Sequence, residues 1–301
     1  MTYEIAPDVD WRITMRNRGI SLLELLVVVA ILGLFIAILL PAFAHAKGFV
    51  ARNDCAANLK QLGVASAMFA REDAHGNYPT LYAARTPLVT ESGETADSAF
   101  LVIPSLNPGD LYPEYVDDAA ALVCPGLTGE RAFDGSFDAI VEDTGHLNAK
   151  RGLGLAAQSY MYLGWVTDQV SHDAPQESLG ILGGAADLSA PAQLVLGVGS
   201  VVDELKRTED PALADLDIPV PRGMGTNGGT LIHRLREGVE RYGVTDINNN
   251  NPTVKAESAI WVLSDRVTLP EDGFPGGANV LFKDGHVEFV TYPEKAPVTP
   301  G

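Results

Sequence analysis

The sequence predicts an α+β protein: a long N-terminal hydrophobic α-helix packed on a globular head with an antiparallel β-sheet. Three observations carry this. Residues 20–40 read ISLLELLVVVAILGLFIAILL, an apolar run with a single charge at Glu24. A one-sided stripe of Cys55, Leu59, Leu62, Ser66 and Phe69 then follows helical spacing, with Arg52, Lys60, Gln61 and Arg71 largely off it. Beyond residue 77, short apolar runs alternate with loops rich in Gly, Pro and Asp, and NVLFK and HVEFV flank Asp284-Gly285.

Composition limits the function classes. Of 301 residues, 46% are hydrophobic, enough for a packed core and too many for a disordered chain. The formal net charge of -18 repels phosphate backbones, so no nucleic-acid partner is expected. The two cysteines, Cys55 and Cys124, are too few for a disulfide framework and lie in no metal-binding spacing. They form one candidate disulfide, because the helix face that carries Cys55 is the face that meets the head.

The apolar run spans about 31 Å as a helix, enough to cross the hydrocarbon core of a bilayer. Arg12, Arg16 and Arg18 precede it, so the C-terminal end of the helix should point out of the cytoplasm. Three readings of the segment stand open. A secretory signal peptide is one, with Ala44-His45-Ala46 as a small-x-small cleavage site, although the apolar run is long for that purpose. A plain membrane anchor is another, and it leaves Glu24 without a reason. A carboxylate at mid-bilayer costs about 2.5–3.5 kcal/mol on insertion scales, less near the edge, and marks a functional position by default.

The third reading accounts for the charge. Arg18-Gly19-Ile20-Ser21-Leu22-Leu23-Glu24 resembles the signal of type IV prepilins and type II secretion pseudopilins. The resemblance implies that a prepilin peptidase cuts after Gly19 and methylates the new terminus at Ile20. It implies that Glu24 is the assembly carboxylate, pairing with the terminal amine of a neighbouring subunit, and that Pro41 is the helix-kinking proline. Two buried opposite charges among apolar helices neutralise each other and set an axial register. Ile20 stands where phenylalanine is commonest, and the leader is long and carries Glu4, Asp8 and Asp10, which makes Met15 an alternative start. The implied division is a leader over residues 1–19, a transmembrane and assembly helix over 20–76, and a head over 77–301.

Residues 53–80 and three stretches near the end (235–250, 260–267 and 276–290) are similar to a family of pilin-like exported proteins. That family ends in His, nine residues, then Asp-Gly. Here Asp284-Gly285 is present, but Phe274 occupies the His position. The resemblance covers both ends of the chain and little of residues 85–230.

The helix should stop near Asp73, before Gly76 and Pro79. Asp284-Gly285 predicts a two-residue hairpin. Residues 160–165, 194–199 and 259–264 read as strands and residues 231–242 as a helix. Residues 86–98 and 126–150 read as surface loops.

The chemistry-bearing patterns are weak. Gly223-Met224-Gly225-Thr226-Asn227-Gly228 spells a dinucleotide fingerprint, but the preceding LDIPVPR holds two prolines, so a glycine-rich turn is expected. His45, His75, His146, His172, His233 and His286 form no metal spacing, and His286 beside Asp284 reads as a hairpin residue. Asp246, Asn248 and Asn250, with Asp265 and Asp272 further on, are weak calcium candidates, since they lack the glycine and distal glutamate of an EF-hand loop. No G-x-S-x-G or H-E-x-x-H occurs.

The expectation is therefore a structural filament subunit, not an enzyme, with no cofactor. Its partners would be like subunits, the prepilin peptidase, an inner-membrane assembly platform and, before assembly, the lipid bilayer. It would sit in the inner membrane with its head outside the cytoplasm, and afterwards in a periplasmic or cell-surface filament. An alternative is a membrane-anchored envelope protein whose head binds a glycan or a protein; a secreted hydrolase is the remote third.

Overall fold

A computed structural model describes residues 21–89, 95–125, 159–171, 173–178, 189–243, 257–267, 276–293 and 297–298. The chain divides into two compact units, Met1–Gly48 and Phe49–Gly301. Helix α1 (Leu22–Glu72) begins in the first unit and continues into the second. Leu, Ala, Val and Ile dominate its first half, and beyond Glu24 the run from Leu25 to Leu40 has no polar side chain to compete for backbone hydrogen bonds, so it has little alternative to helix. The side chains of Leu22–Leu39 are exposed, Leu22 at 82%. Among the described residues this is the one helix long and apolar enough to cross a membrane.

In the second unit the remainder of α1 is amphipathic. Cys55, Leu59, Leu62, Ala65, Ser66 and Ala70 are buried and Phe69 is half-buried, while Lys60, Gln61 and Arg71 face solvent. The partner surface is a four-stranded antiparallel sheet in the order β10-β9-β8-β3, from β3 (Tyr160–Met161), β8 (Trp261–Asp265), β9 (Gly277–Phe282) and β10 (Val287–Thr291). Every residue of β8 and β9 is buried, including the polar Ser264, Asp265 and Asn279, so neither strand shows an apolar-polar alternation. Gly63 sets the closest approach of helix to sheet: a Cβ there would lie 2.9 Å from both δ-methyls of Leu281.

The helix stops as expected. The Asp73 carboxylate accepts from the backbone amides of His75 (2.9 Å) and Asn77 (2.8 Å), and Gly76 takes the left-handed φ of +73° that ends the turn.

Several sequence expectations are corrected. Most of residues 86–98, expected as a loop, belongs to a long antiparallel ribbon of β1 (Leu81–Val89) and β2 (Thr95–Leu106). The expected strand at 194–199 is a wide helical turn (Gln193–Val198) running into helix α3 (Gly199–Thr208), which follows the single-turn helix α2 (Pro108–Leu111). An apolar run that short cannot distinguish the two periods. Gly197 abuts Ile232, where a Cβ would lie only 2.1 Å from the Ile232 methyl, so the tight backbone approach selects the glycine.

The expected helix at 231–242 is extended chain. Strand β7 (Leu231–Ile232) pairs with β6 (Ile218–Pro219), isolated bridges join Arg234 to Trp165 and Arg236 to Asn77, and a 3-10 turn follows at Val239–Gly243. Gly238 at φ +74° breaks the helical period. The strand expected over 160–165 is regular only at Tyr160–Met161, and that expected over 259–264 forms as Trp261–Asp265.

The hairpin at Asp284-Gly285 exists, with a three-residue loop and not two. Phe282 donates to His286 O (2.9 Å), and Gly285 alone takes positive φ, +86°. A two-residue type I′ loop would need positive φ at Asp284 as well. The glycine-rich stretch from Gly223 is a turn between β6 and β7, with no strand-to-helix phosphate cradle around it. Residues 126–150 lie outside the described residues.

Candidate functional site

The N-terminal end of α1 is closed by two residues, Ser21 and Glu24. Ser21 precedes the first helical turn, its backbone N–H donates to Glu24 Oε2 (3.0 Å), and the Glu24 backbone N–H donates to Ser21 Oγ (3.2 Å). This is a reciprocal capping box, in which two orphan helix-end donors are satisfied at once. Glu24 also places its charge at the positive end of the helix dipole. The sequence reading explained Glu24 by resemblance and missed Ser21, although Ser-x-x-Glu ahead of an apolar run is a readable helix-start signal. Gly19 and Ile20 lie outside the described residues. Pro41 lies within α1, which continues as helix through it.

A second polar group joins α1 to the head. Cys55 and Cys124 form a disulfide, Asn58 Nδ2 donates to Val123 O (3.2 Å), and Asn279 Nδ2 donates to Arg52 O (3.0 Å). The Arg52 guanidinium stacks 4.0 Å over the Phe289 ring. Asp265, only 9% exposed, accepts from the Asn279 backbone N–H (2.7 Å) and from Asn279 Nδ2 (2.7 Å). Burial pushes its carboxyl up to about 6, although the Asn279 hydrogen bonds and the Arg52 charge pull the other way. Among the described residues, Cys55, Cys124 and Asp265 are one cluster of ligand-type atoms, within 4.8 Å of one another. With the two sulfurs bonded to each other, it is a disulfide beside a carboxyl.

Of the calcium candidates, Asp265 is buried and hydrogen-bonded to Asn279. Asp246, Asn248, Asn250 and Asp272 lie outside the described residues, as does Phe274. No sequence signal could link Asp265 to two cysteines so distant in the chain.

The largest fully buried polar side chain is Arg234, 0% exposed. Its guanidinium donates to the carbonyls of Tyr78 and Pro79 (each 2.7 Å), to Gly164 O and to Tyr162 Oη (3.2 Å), and faces Asp215 at 3.4 Å. Removing a charge from water costs several kcal/mol and is repaid only by such a full set of acceptors. The guanidinium thus ties the exit of α1 to the strand-like segments at 164 and 234. Lys283 is handled similarly: its side chain is 2% exposed and meets Glu257 (2.8 Å), Glu240 (3.2 Å) and Glu237 (4.0 Å). Burial lowers its pKa, but the three glutamates more than offset this and hold it above the ordinary value. His233 faces Asp217 at 3.0 Å, with Arg236 on the same carboxylate at 3.0 Å, and His286 stacks on Phe282 within the β9–β10 hairpin.

The first part of α1 is an exposed apolar helix with a capped, acidic start, long and apolar enough to cross a membrane. Residues 14–40 match the family model of the prokaryotic N-terminal methylation motif. The chain thus carries a prepilin-type N-terminal signal on an apolar helix, which supports a pilin-like exported protein. No curated protein and no solved structure matches it.

Proposed function

We propose that this protein is a subunit, minor or specialised, of a type IV pilus or type II secretion pseudopilus. Prepilin peptidase cuts after Gly19 and methylates Ile20. The first half of α1 holds the precursor in the inner membrane with the head outside the cytoplasm, then passes into a filament of like subunits on an inner-membrane assembly platform. Glu24 pairs with a neighbour's terminal amine. The work is structural and needs no turnover or cofactor.

One observation carries the reading: Glu24 stands in the first turn of an apolar helix whose side chains are left unpacked, inside a segment that matches the methylation motif. A carboxylate placed there is costly in lipid and useful only against a partner cation. The large head favours a specialised subunit over a major one.

The test is the mass of the mature N-terminus from membranes of cells with and without an active prepilin peptidase. A peptidase-dependent peptide starting at Ile20 with an added methyl group is expected. A terminus at Lys47 would mean ordinary secretion and overturn the reading.

A further inference from the structure

We propose that Asp265 is the proton acceptor for closure of the Cys55–Cys124 bridge, with Cys124 meeting the oxidant and Cys55 completing the bond. Three buried groups from three separate parts of the fold converge here: Cys55 from α1, Cys124 from the segment after the Ala119–Leu122 turn, and Asp265 from the end of β8. Their sulfur and carboxylate atoms lie within 4.8 Å of one another. Beside a finished disulfide this carboxyl holds Asn279 through two hydrogen bonds, and beside two thiols it would also have a proton within reach to accept. A free thiol titrates near 8.5, so at neutral pH it is mostly protonated and needs a base before it can attack.

Exposure assigns the order, because Cys124 is 7% exposed and Cys55 1%. The Cys124 thiol, the more exposed of the two, gives its Sγ proton to water and as the thiolate attacks the disulfide of an oxidant of the thiol-oxidoreductase class, forming a mixed disulfide and releasing one thiolate. The Asp265 carboxylate takes the Sγ proton of Cys55. The Cys55 thiolate then attacks Cys124 Sγ, the protein bridge forms, and the bond to the oxidant breaks to release the second thiolate. The two protein thiols lose two electrons to the oxidant's disulfide. The proton on Asp265 passes to the departing thiolate or to water.

The surroundings suit a base that must be ionised yet remain a competent acceptor. Arg52 of α1 and the two Asn279 hydrogen bonds from β9 favour the carboxylate, and burial opposes it, leaving the group near 6. From β3, Tyr160 is register partner of Asp265, and burial raises its phenol so that it stays neutral. Among the described residues, Arg52 and Tyr160 are thus the charged and titratable groups that face Asp265 besides the cysteines.

The experiment uses the full chain in detergent, reduced and then treated with oxidised glutathione. Conversion of mixed disulfide to bridge is followed by acid quench and mass between pH 5 and 8. The wild-type rate should rise through a step near pH 6. Asp265→Asn should resolve about a hundredfold more slowly and lack that step, in keeping with the loss of a positioned base. Asn279→Ala keeps the carboxyl and removes a donor that favours its ionised form, so the step should move to higher pH while closure at pH 8 persists. An Asp265→Asn chain that is folded by near-ultraviolet dichroism and resolves at the wild-type rate with the wild-type profile overturns the assignment. Where that variant does not fold, an Asn279→Ala step at unchanged pH overturns it.

Discussion

The carboxylate of Glu24 accepts from the backbone amide of Ser21 at 3.0 Å, and the Ser21 hydroxyl returns the bond to the Glu24 amide at 3.2 Å. Before any neighbour is present, Glu24 is thus already engaged in closing the start of its own helix. In a filament it would have to exchange or share that bond with a terminal amine. Capping and charge are consequently two separable duties of one side chain.

Glu24→Gln separates them, because glutamine fills the same position in a capping box but carries no charge. On the proposed function, that variant is expected to be inserted and cut like wild type, yet to fall at least about tenfold in the sheared filament fraction, consistent with loss of an ion pair in apolar surroundings. Ser21→Ala removes the cap at a cost of about 1 kcal/mol and keeps the charge, so filaments should persist. Equal filament yields from Glu24→Gln and wild type would remove the charge from the mechanism.

The Cys55–Cys124 bridge closes a loop with a sequence separation of 69. Chain-entropy arguments place its stabilisation at about 4 kcal/mol for a loop of that size. The Cys55→Ser, Cys124→Ser double variant should therefore melt roughly 10 °C lower by calorimetry, at about 2–4 °C per kcal/mol for a head of this size. An unchanged melting point would mean that the Asn58 and Asn279 contacts hold the helix without it.

Arg234→Met removes a buried charge and leaves the carbonyls of Tyr78, Pro79 and Gly164 without that donor. A loss of about 3–5 kcal/mol is expected in urea unfolding. A loss below about 1 kcal/mol would show that water replaces the guanidinium.

Gly63→Ala places a methyl against Leu281, while relieving the roughly 1 kcal/mol helix cost of glycine, so the two effects should nearly cancel. Gly63→Val overpacks the contact and should cost about 1–3 kcal/mol. Leu281→Ala should be less harmful in the Gly63→Val background than in the wild-type chain, measured as a double-mutant cycle.

The carboxyl of Asp265 is raised in the folded protein, from 3.8 to about 6. The folded state therefore binds this proton more tightly than the unfolded state does. The associated stability is fully present below pH 3.8 and is lost as pH rises through about 6. Asp110 is also raised by burial and acts in the same direction. Asp265→Asn should flatten the decline in urea midpoint between pH 4 and 7 in the oxidised protein, and an equally steep decline in the variant would reassign it to other groups.

Residues whose roles depend on near neighbours were legible in the chain. The apolar run from Ile20, the Cys55–Phe69 stripe, the stop at Gly76 and the hairpin at Asp284-Gly285 all follow from local periods and from backbone preference. Local pattern failed where a partner outvoted it. Residues 231–236 hold a helical spacing of apolar side chains, yet they run extended because their backbone pairs with other segments: Leu235 N–H donates to Gly164 O, Val166 N–H to His233 O and Tyr78 N–H to Leu235 O. Asp265 read as a solvated oxygen donor, and the fold made it a buried neighbour of a disulfide.

Order along the chain was thus enough to read a helix long and apolar enough to cross a membrane, the acidic position inside it and the helix face that packs on the head, since these depend on spacings of a few residues. Folding in space settled where the second half of that helix is tied down: to Cys124, to Asn279 and, through Arg234, to the carbonyls at its exit. Burial of a charge or a thiol is a property of distant segments brought together, and nothing in the order of neighbouring residues encodes it.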